Sequence, residues 1–223
     1  GIKIMVFYPD DGVSKMQKLQ MCTQEGNNVN VVAVKGNFDD CQTGVKKIFG
    51  SEECKKQLAE KGYLLSSANS INFGRLAPQI CYYFSAYCDL VTSDQIRMGD
   101  KVNFTVPTGN FGNILAAYYA KKMGLPVGTL VCASNKNNVL TDFWERGTYD
   151  VKRPFYKTMS PSMDILVSSN LERLIFELSG RDAALTKERM ASLASTGKYS
   201  VRAEELRQIR SEFFASYASE SDT

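Results

Sequence analysis

The sequence predicts an α/β protein built from open parallel-sheet units with helices on both faces, and two stretches carry that expectation. Ile2 to Tyr8, Pro9 to Gly12, Met16 to Cys22 and Val29 to Val34 give a strand, a turn, a helix and a second strand. The same order returns in Val102 to Val106, Pro107 to Asn113, Ile114 to Met123 and Val127 to Ala133. The first strand is a nearly unbroken apolar run, the pattern of a strand buried on both faces of a parallel sheet.

The elements follow in order. Ser14 stands where a helix N-cap belongs, ahead of Met16, Leu19 and Cys22 at helical spacing, and Gly26-Asn27-Asn28 ends that helix. Gly36 to Asp40 lead into a helix through Val45, Ile48 and Phe49, and Ser51 to Lys61 form another whose alternating Glu and Lys make a solvated face. Tyr63 to Ala68 is read as a further strand. From Asn72 an apolar stripe runs through Ile80, Tyr83, Phe84 and Tyr87, with Pro78 either kinking the helix or marking its first turn. Beyond Asn138 the pattern is mixed: Pro154 and Pro161 fall in loops, Leu171 to Leu178 is a helix, and helical segments fill Lys187 to Ala218. The residues after Ser219 are expected to be disordered.

Composition excludes several classes of chemistry. The 223 residues are 43% hydrophobic, enough for one large core or two modest ones. The net charge of +3 is scattered rather than gathered into a basic block, so no nucleic-acid partner is expected. No run of 18 apolar residues exists, so no membrane span is expected either, and the location predicted is cytoplasmic. Six cysteines form no Cys-x-x-Cys pair, which suits a reducing compartment. Histidine is absent, ruling out Ser-His-Asp and Cys-His nucleophiles and His-ligated zinc. The apolar run that opens the chain implies that another segment precedes it. The oligomeric state is not legible.

One loop carries candidate chemistry. In Pro107-Thr108-Gly109-Asn110-Phe111-Gly112-Asn113 a strand passes through a turn with two glycines into an alanine-rich helix. A helix start leaves main-chain N–H groups without intrahelical partners and concentrates positive potential, and glycines let the backbone approach an anion. The loop lacks the Gly-Lys-Ser/Thr of a P-loop and the third glycine of a dinucleotide turn, which disfavours a nucleotide. A plain β-α turn with no ligand remains the alternative.

That string resembles the cofactor-phosphate loop of threonine synthases of the bacterial and fungal type, in the tryptophan-synthase-like fold of pyridoxal-phosphate enzymes. Ser67-Ala68-Asn69-Ser70-Ile71-Asn72-Phe73-Gly74-Arg75, with Gln79 to Phe84 after it, is similar to another segment of that family. So are Gly36 to Gln42 and Ser160-Pro161-Ser162-Met163-Asp164-Ile165, and the matches keep their order across roughly residues 1–180.

The resemblance implies an incomplete two-domain fold, with residues 1–67 in a small mobile domain and 68–223 in a larger one that binds the cofactor phosphate. It implies conversion of O-phospho-L-homoserine and water into L-threonine and phosphate with pyridoxal 5'-phosphate. Gly109, Asn110, Phe111, Gly112 and Asn113 are then the cofactor residues, acting mainly through main-chain N–H groups. Asn69, Ser70, Asn72 and Arg75 are the candidates for substrate, since a guanidinium offers a planar fork to a phosphate; a polar loop capping the next helix is the competing reading. Ser134, Asn135, Asn137 and Asn138 lie where ligands approach a parallel sheet, or else simply build a loop. The family's Schiff-base lysine belongs to a segment ahead of this chain, and Lys101, Lys121 and Lys122 do not match its context. The chain is therefore expected to be an inactive fragment. A non-catalytic phosphate-binding module is the alternative.

Overall fold

A computed structural model describes residues 1–10, 13–36 and 38–219. The turn read at residues 11 and 12, residue 37 of the Gly36 to Gln42 segment and the tail after Ser219 lie outside them. The chain divides into two compact units, residues 1–66 and 67–223.

In the first unit β1 (Ile4–Pro9) pairs in parallel with β2 (Val29–Val34), with Ile4 opposite Val29 and Pro9 opposite Val34. Between them lies α1 (Lys15–Cys22), which starts in a capping box: Gln17 N–H donates to Ser14 Oγ at 3.2 Å and Ser14 N–H to Gln17 Oε1 at 3.1 Å. Two helices follow, α2 (Phe38–Gly50) and α3 (Glu52–Glu60), the latter capped by Ser51.

The strand expected at Tyr63 to Ala68 does not form. Leu64 is 91% exposed, and from Ser67 onward side chains take over the main-chain hydrogen bonds. Asn69 N–H donates to Ser67 Oγ, Ile71 N–H to Asn69 Oδ1, and Asn72 Nδ2 to the Ser67 carbonyl, all at 3.0–3.1 Å. Short polar side chains that satisfy their own backbone compete with a sheet ladder, and here they win.

The second unit begins with α4 (Phe73–Leu76), a 3₁₀ turn over Ala77–Gln79 and α5 (Ile80–Thr92). Pro78 thus sits in the turn that leads into α5, where its missing N–H costs little. Next come β3 (Val102–Pro107), α6 (Gly112–Lys122) and β4 (Val127–Ser134), the strand-helix-strand unit read from the sequence. After them the chain forms α7 (Val139–Arg146), β5 (Thr148–Asp150), α8 (Leu171–Leu178), α9 (Ala183–Thr196), β6 (Lys198–Ser200), α10 (Ala203–Glu212) and β7 (Phe213–Tyr217).

The main sheet has the order β3-β4-β7, all parallel, and β5 and β6 make a separate antiparallel pair. Two further features depart from the sequence expectation. Residues 139–146, left unassigned, form a helix whose Val139, Leu140, Phe143 and Trp144 are buried. Residues 213–217, read as helical, form a strand because β4 offers an open edge: Leu130 pairs with Phe213 and Ser134 with Tyr217.

The core fills the space around β4. Ile114, Leu115, Leu130, Leu174 and Ile175 are fully buried, each worth about 1.5–3 kcal/mol of transfer free energy. An aromatic cluster joins Phe111 of the candidate loop to Trp144 and Phe213, and through Trp144 to Phe143, Tyr149 and Tyr199.

Candidate functional site

The loop between β3 and α6 is fixed first at its entry. Thr108 N–H donates to the Ala133 carbonyl at 2.8 Å, extending the β3–β4 ladder by one rung, and its hydroxyl donates back to the Val106 carbonyl at 2.7 Å. Three residues later Phe111 adopts a left-handed conformation, φ 61°, immediately before α6. Its ring is 1% exposed and packs on Trp144 at 5.8 Å and Phe213 at 5.9 Å. Only its main chain faces the loop.

Between these anchors the carbonyls are tied down from one side. Ser168 Oγ donates to the Gly109 carbonyl at 2.7 Å. The Asn110 carbonyl accepts twice from Asn170, from its N–H at 3.1 Å and from its Nδ2 at 3.0 Å. Ser168 is itself held, its N–H donating at 2.8 Å to the hydroxyl of Tyr149, which donates to the Leu166 carbonyl. In a trans peptide the N–H points opposite to the carbonyl it is joined to, so these bonds turn the N–H groups of Asn110 and Phe111 the other way. Among the described residues no acceptor meets any of the six consecutive N–H groups from Gly109 to Ile114. The first turn of α6 and the turn before it thus present a run of unpaired donors at the positive end of a helix dipole. Residues 108–113 carry no charged side chain to oppose an anion.

The glycines serve the protein side of this loop. A Cβ on Gly109 would lie 3.0 Å from the Ser162 carbonyl oxygen, and one on Gly112 would lie 2.9 Å from Ser70 Oγ and 3.3 Å from Asn170 Nδ2. The positive φ falls on Phe111 and on neither glycine. Both glycines admit the Ser160 to Ile165 and Asn69 to Arg75 segments against the loop. Asn113 is exposed, and the Tyr83 hydroxyl donates to its Oδ1 at 2.7 Å, while its Nδ2 meets no acceptor among the described residues.

The four substrate candidates are grouped but not equivalent. Asn69 Oδ1 accepts from Ile71 N–H, and Asn72 Oδ1 caps α4 by accepting from Gly74 N–H at 3.0 Å. Ser70 faces Gly112 and accepts from Asn170 Nδ2 at 3.0 Å. Arg75 is exposed, its Nε donating to the Ala68 carbonyl at 2.9 Å while its terminal nitrogens meet no acceptor among the described residues.

Sequence reasoning passed over Asn170 and Arg173. Ser168-Ser169-Asn170 ahead of α8 reads as an ordinary N-cap, yet the Asn170 side chain makes no capping bond. Arg173 Nη2 donates to the Ile71 carbonyl at 2.5 Å and its Nη1 to the Ser70 carbonyl at 3.3 Å and to Asn170 Oδ1.

Asn135 and Asn137 build the loop after β4. Asp164 Oδ1 accepts from Asn135 Nδ2 at 2.7 Å, Asn137 Nδ2 at 3.0 Å and the Thr158 hydroxyl at 2.7 Å, while its Oδ2 accepts from Thr158 N–H at 2.8 Å. Asn138 Oδ1 accepts from Arg153. A cleft of about 680 Å³ opens beside this network, lined in part by Ser134, Asn135, Lys136, Tyr156 and Lys157, and the buried Ser134 hydroxyl has no hydrogen-bond partner there. Among the lysines near the loop in sequence, Lys121 pairs with Glu212 at 2.6 Å and Lys122 lies over the Tyr118 ring. Among the described residues no cluster of metal-ligating side chains occurs, and no helix is long and apolar enough to cross a membrane.

No protein-family model matches the chain. It is 44% identical over 223 residues to the protein of Homo sapiens named threonine synthase-like 1, covering 99% of this chain and 30% of that protein. It is 40% identical over 223 residues to the threonine synthase of Pseudomonas aeruginosa, covering 100% of this chain and 45% of that one. Among solved structures, the PLP-bound threonine synthase of Brucella melitensis matches with a TM-score of 0.85 at 42% identity, over 99% of this chain and 45% of that chain. Yeast threonine synthase matches with a TM-score of 0.83 at 35% identity, over 98% and 43%. The chain spans less than half the length of these relatives.

Proposed function

Because this chain belongs to the threonine synthase family, we propose that its residues Gly109 to Asn113 hold the phosphate of pyridoxal 5'-phosphate. We further propose that the protein carrying this segment is a lyase that turns O-phospho-L-homoserine and water into L-threonine and phosphate. The observation that supports this reading is the row of six main-chain N–H groups that meet no acceptor among the described residues, in an uncharged loop. It fits a phosphate, whose oxygens accept several such bonds at once. Asn110 Nδ2 and Asn113 Nδ2 are the side-chain donors left to supplement it, since their oxygens are engaged by Ser169 and Tyr83.

When bound, the cofactor supplies an electron sink for charge that develops beside the substrate amino group. This chain's residues bind and orient. Arg75 offers its two terminal nitrogens to the substrate phosphate, while Asn69, Ser70 and Asn72 shape the loop that presents it. The lysine that moves protons comes from outside these residues, so the isolated chain is inactive. A cytoplasmic setting accompanies this reading, and it suits the six cysteines, all free.

A second reading keeps the phosphate site without the chemistry. It is favoured by the fact that Lys121 and Lys122, which follow the loop in sequence, are engaged elsewhere. The two part on whether the segment ahead of residue 1 carries the family's lysine.

Trp144, the only tryptophan, packs on Phe111 and reports on the loop. Titrating the chain with pyridoxal 5'-phosphate is expected to quench Trp144 emission saturably, with inorganic phosphate competing. Equal quenching by pyridoxal, with no competition from phosphate, would refute the site. For the complete enzyme, Arg75→Ala is expected to raise KM for O-phospho-L-homoserine at least tenfold, about the loss of one charged hydrogen-bonding partner.

A further inference from the structure

The Asn110–Phe111 peptide bond is the middle of the donor row, and its direction is set by a side chain from a different part of the chain. Asn170 is completely buried, and it sits where two loops meet. Its Nδ2 lies 3.0 Å from the Asn110 carbonyl and 3.0 Å from Ser70 Oγ, and its main-chain N–H lies 3.1 Å from the same Asn110 carbonyl. An amide side chain has two ends that differ only in being donor or acceptor, so its direction needs a second constraint. Arg173 provides it: the guanidinium, a pure donor, binds Asn170 Oδ1 and so turns the Nδ2 end of the side chain toward Asn110. The same guanidinium holds the Ser70 and Ile71 carbonyls.

We propose that Asn170, oriented by Arg173, is the positioning residue of the phosphate loop: it clamps the Asn110 carbonyl so that the Phe111 N–H faces the anion. The inference rests on the phosphate reading of residues 109–113. An unclamped peptide in a two-glycine turn can rotate and present its carbonyl oxygen to the anion instead, exchanging an attraction for a repulsion. The fixed rotation means that the donors are aligned before the ligand arrives, and no reorganisation is spent on binding. The clamp also explains why Asn170 does not cap its own helix: its amide is committed to another segment. Because Nδ2 also reaches Ser70, the clamp ties the loop to the Asn69 to Arg75 segment, so a shift in either is felt by the other.

The test is residue-resolved binding of inorganic phosphate and of pyridoxal 5'-phosphate to the chain and to Asn170→Ala, followed by amide NMR. In the wild-type chain the N–H signals of residues 109–114 are expected to shift on addition of phosphate. In Asn170→Ala, which keeps only the main-chain N–H bond to the Asn110 carbonyl, the Phe111 response is expected to weaken while those of Gly112, Asn113 and Ile114 persist, and the Kd for phosphate is expected to rise about tenfold, as for other supporting residues behind a ligand shell. A Phe111 response and Kd unchanged in the variant overturn the inference and leave the phosphate site standing. A uniform loss over all six signals, with no selectivity for Phe111, overturns it as well, because that is the mark of general damage. If no signal in 109–114 moves in the wild-type chain, the phosphate site falls and this inference with it. Should Asn170→Ala fail to fold, Arg173→Lys carries the same test, since it keeps the charge but loses the planar fork: a weakened Phe111 response is expected, and an undiminished one overturns the proposal.

Discussion

The ring of Phe111 lies 5.8 Å from the ring of Trp144, tilted by 43°, although Phe111 itself occupies the left-handed region at φ 61°. That conformation costs a side-chain-bearing residue about 1–2 kcal/mol, and burial of the ring offsets it. The strained residue of the loop is therefore also its anchor. Phe111→Ala is expected to destabilise the second unit by about 3–5 kcal/mol, measured by urea unfolding followed through Trp144. Phe111→Gly, which relieves the backbone but removes the same ring, should be nearly as harmful. A Gly variant as stable as wild type would show that strain, not packing, governs this position.

Gly112 makes the closest approach in the site. Its added Cβ would meet Ser70 Oγ at 2.9 Å, so Gly112→Ala should push Ser70 and Asn170 aside and weaken phosphate binding about tenfold. The double variant Gly112→Ala/Ser70→Gly removes the obstacle and should recover part of that loss. Identical phosphate affinity in the single and double variants would contradict the steric account.

The buried pair Arg189–Glu205 should make stability fall in acid. Its two bonds are 2.9 and 2.6 Å long, and both side chains are nearly inaccessible. Burial by itself raises the Glu205 carboxyl, but the hydrogen bonds from Arg189 and from the Arg202 main chain outweigh it and hold the carboxyl below its usual value. An unfolded glutamate titrates near ~4.3, so the contribution is complete above that pH and is lost as pH falls through the lowered folded value. Glu205→Gln should therefore lower the melting temperature at pH 7 and by progressively less below about pH 4. A difference that stays constant with pH would rule this out.

Asp164 is the hub of the loop after β4, accepting from Asn135, Asn137 and Thr158. Asp164→Ala strands those donors at a cost of about 2–3 kcal/mol, and limited proteolysis should then cut residues 155–160 faster. Cleavage at the wild-type rate would mean that the loop is held by other contacts.

Burial pushes the Cys132 thiol up to about 12. A thiol reagent at pH 8 is therefore expected to modify exposed Cys22, Cys81 and Cys88 quickly and Cys132 only after denaturant is added. Fast labelling of Cys132 in the folded chain would contradict its place in the core.

The sequence by itself determined the strand-helix-strand units, because apolar runs, caps and turn residues act over a few neighbours. Ser14, Ser51 and the glycines of the loop between β3 and α6 are signals of that local kind. It also determined the family, since several short segments keep both identity and order. The tertiary structure decided what depends on partners distant in the chain. Phe213 to Tyr217 became a strand only because the edge of β4 was open to it. Tyr63 to Ala68 stayed out of a sheet because Ser67 and Asn69 bond the neighbouring backbone themselves. Asn170 stands just ahead of a helix yet bonds to Asn110 instead of capping it, because Asn110, sixty residues earlier, lies within reach of its amide. No local pattern encodes such a meeting; packing around β4 creates it.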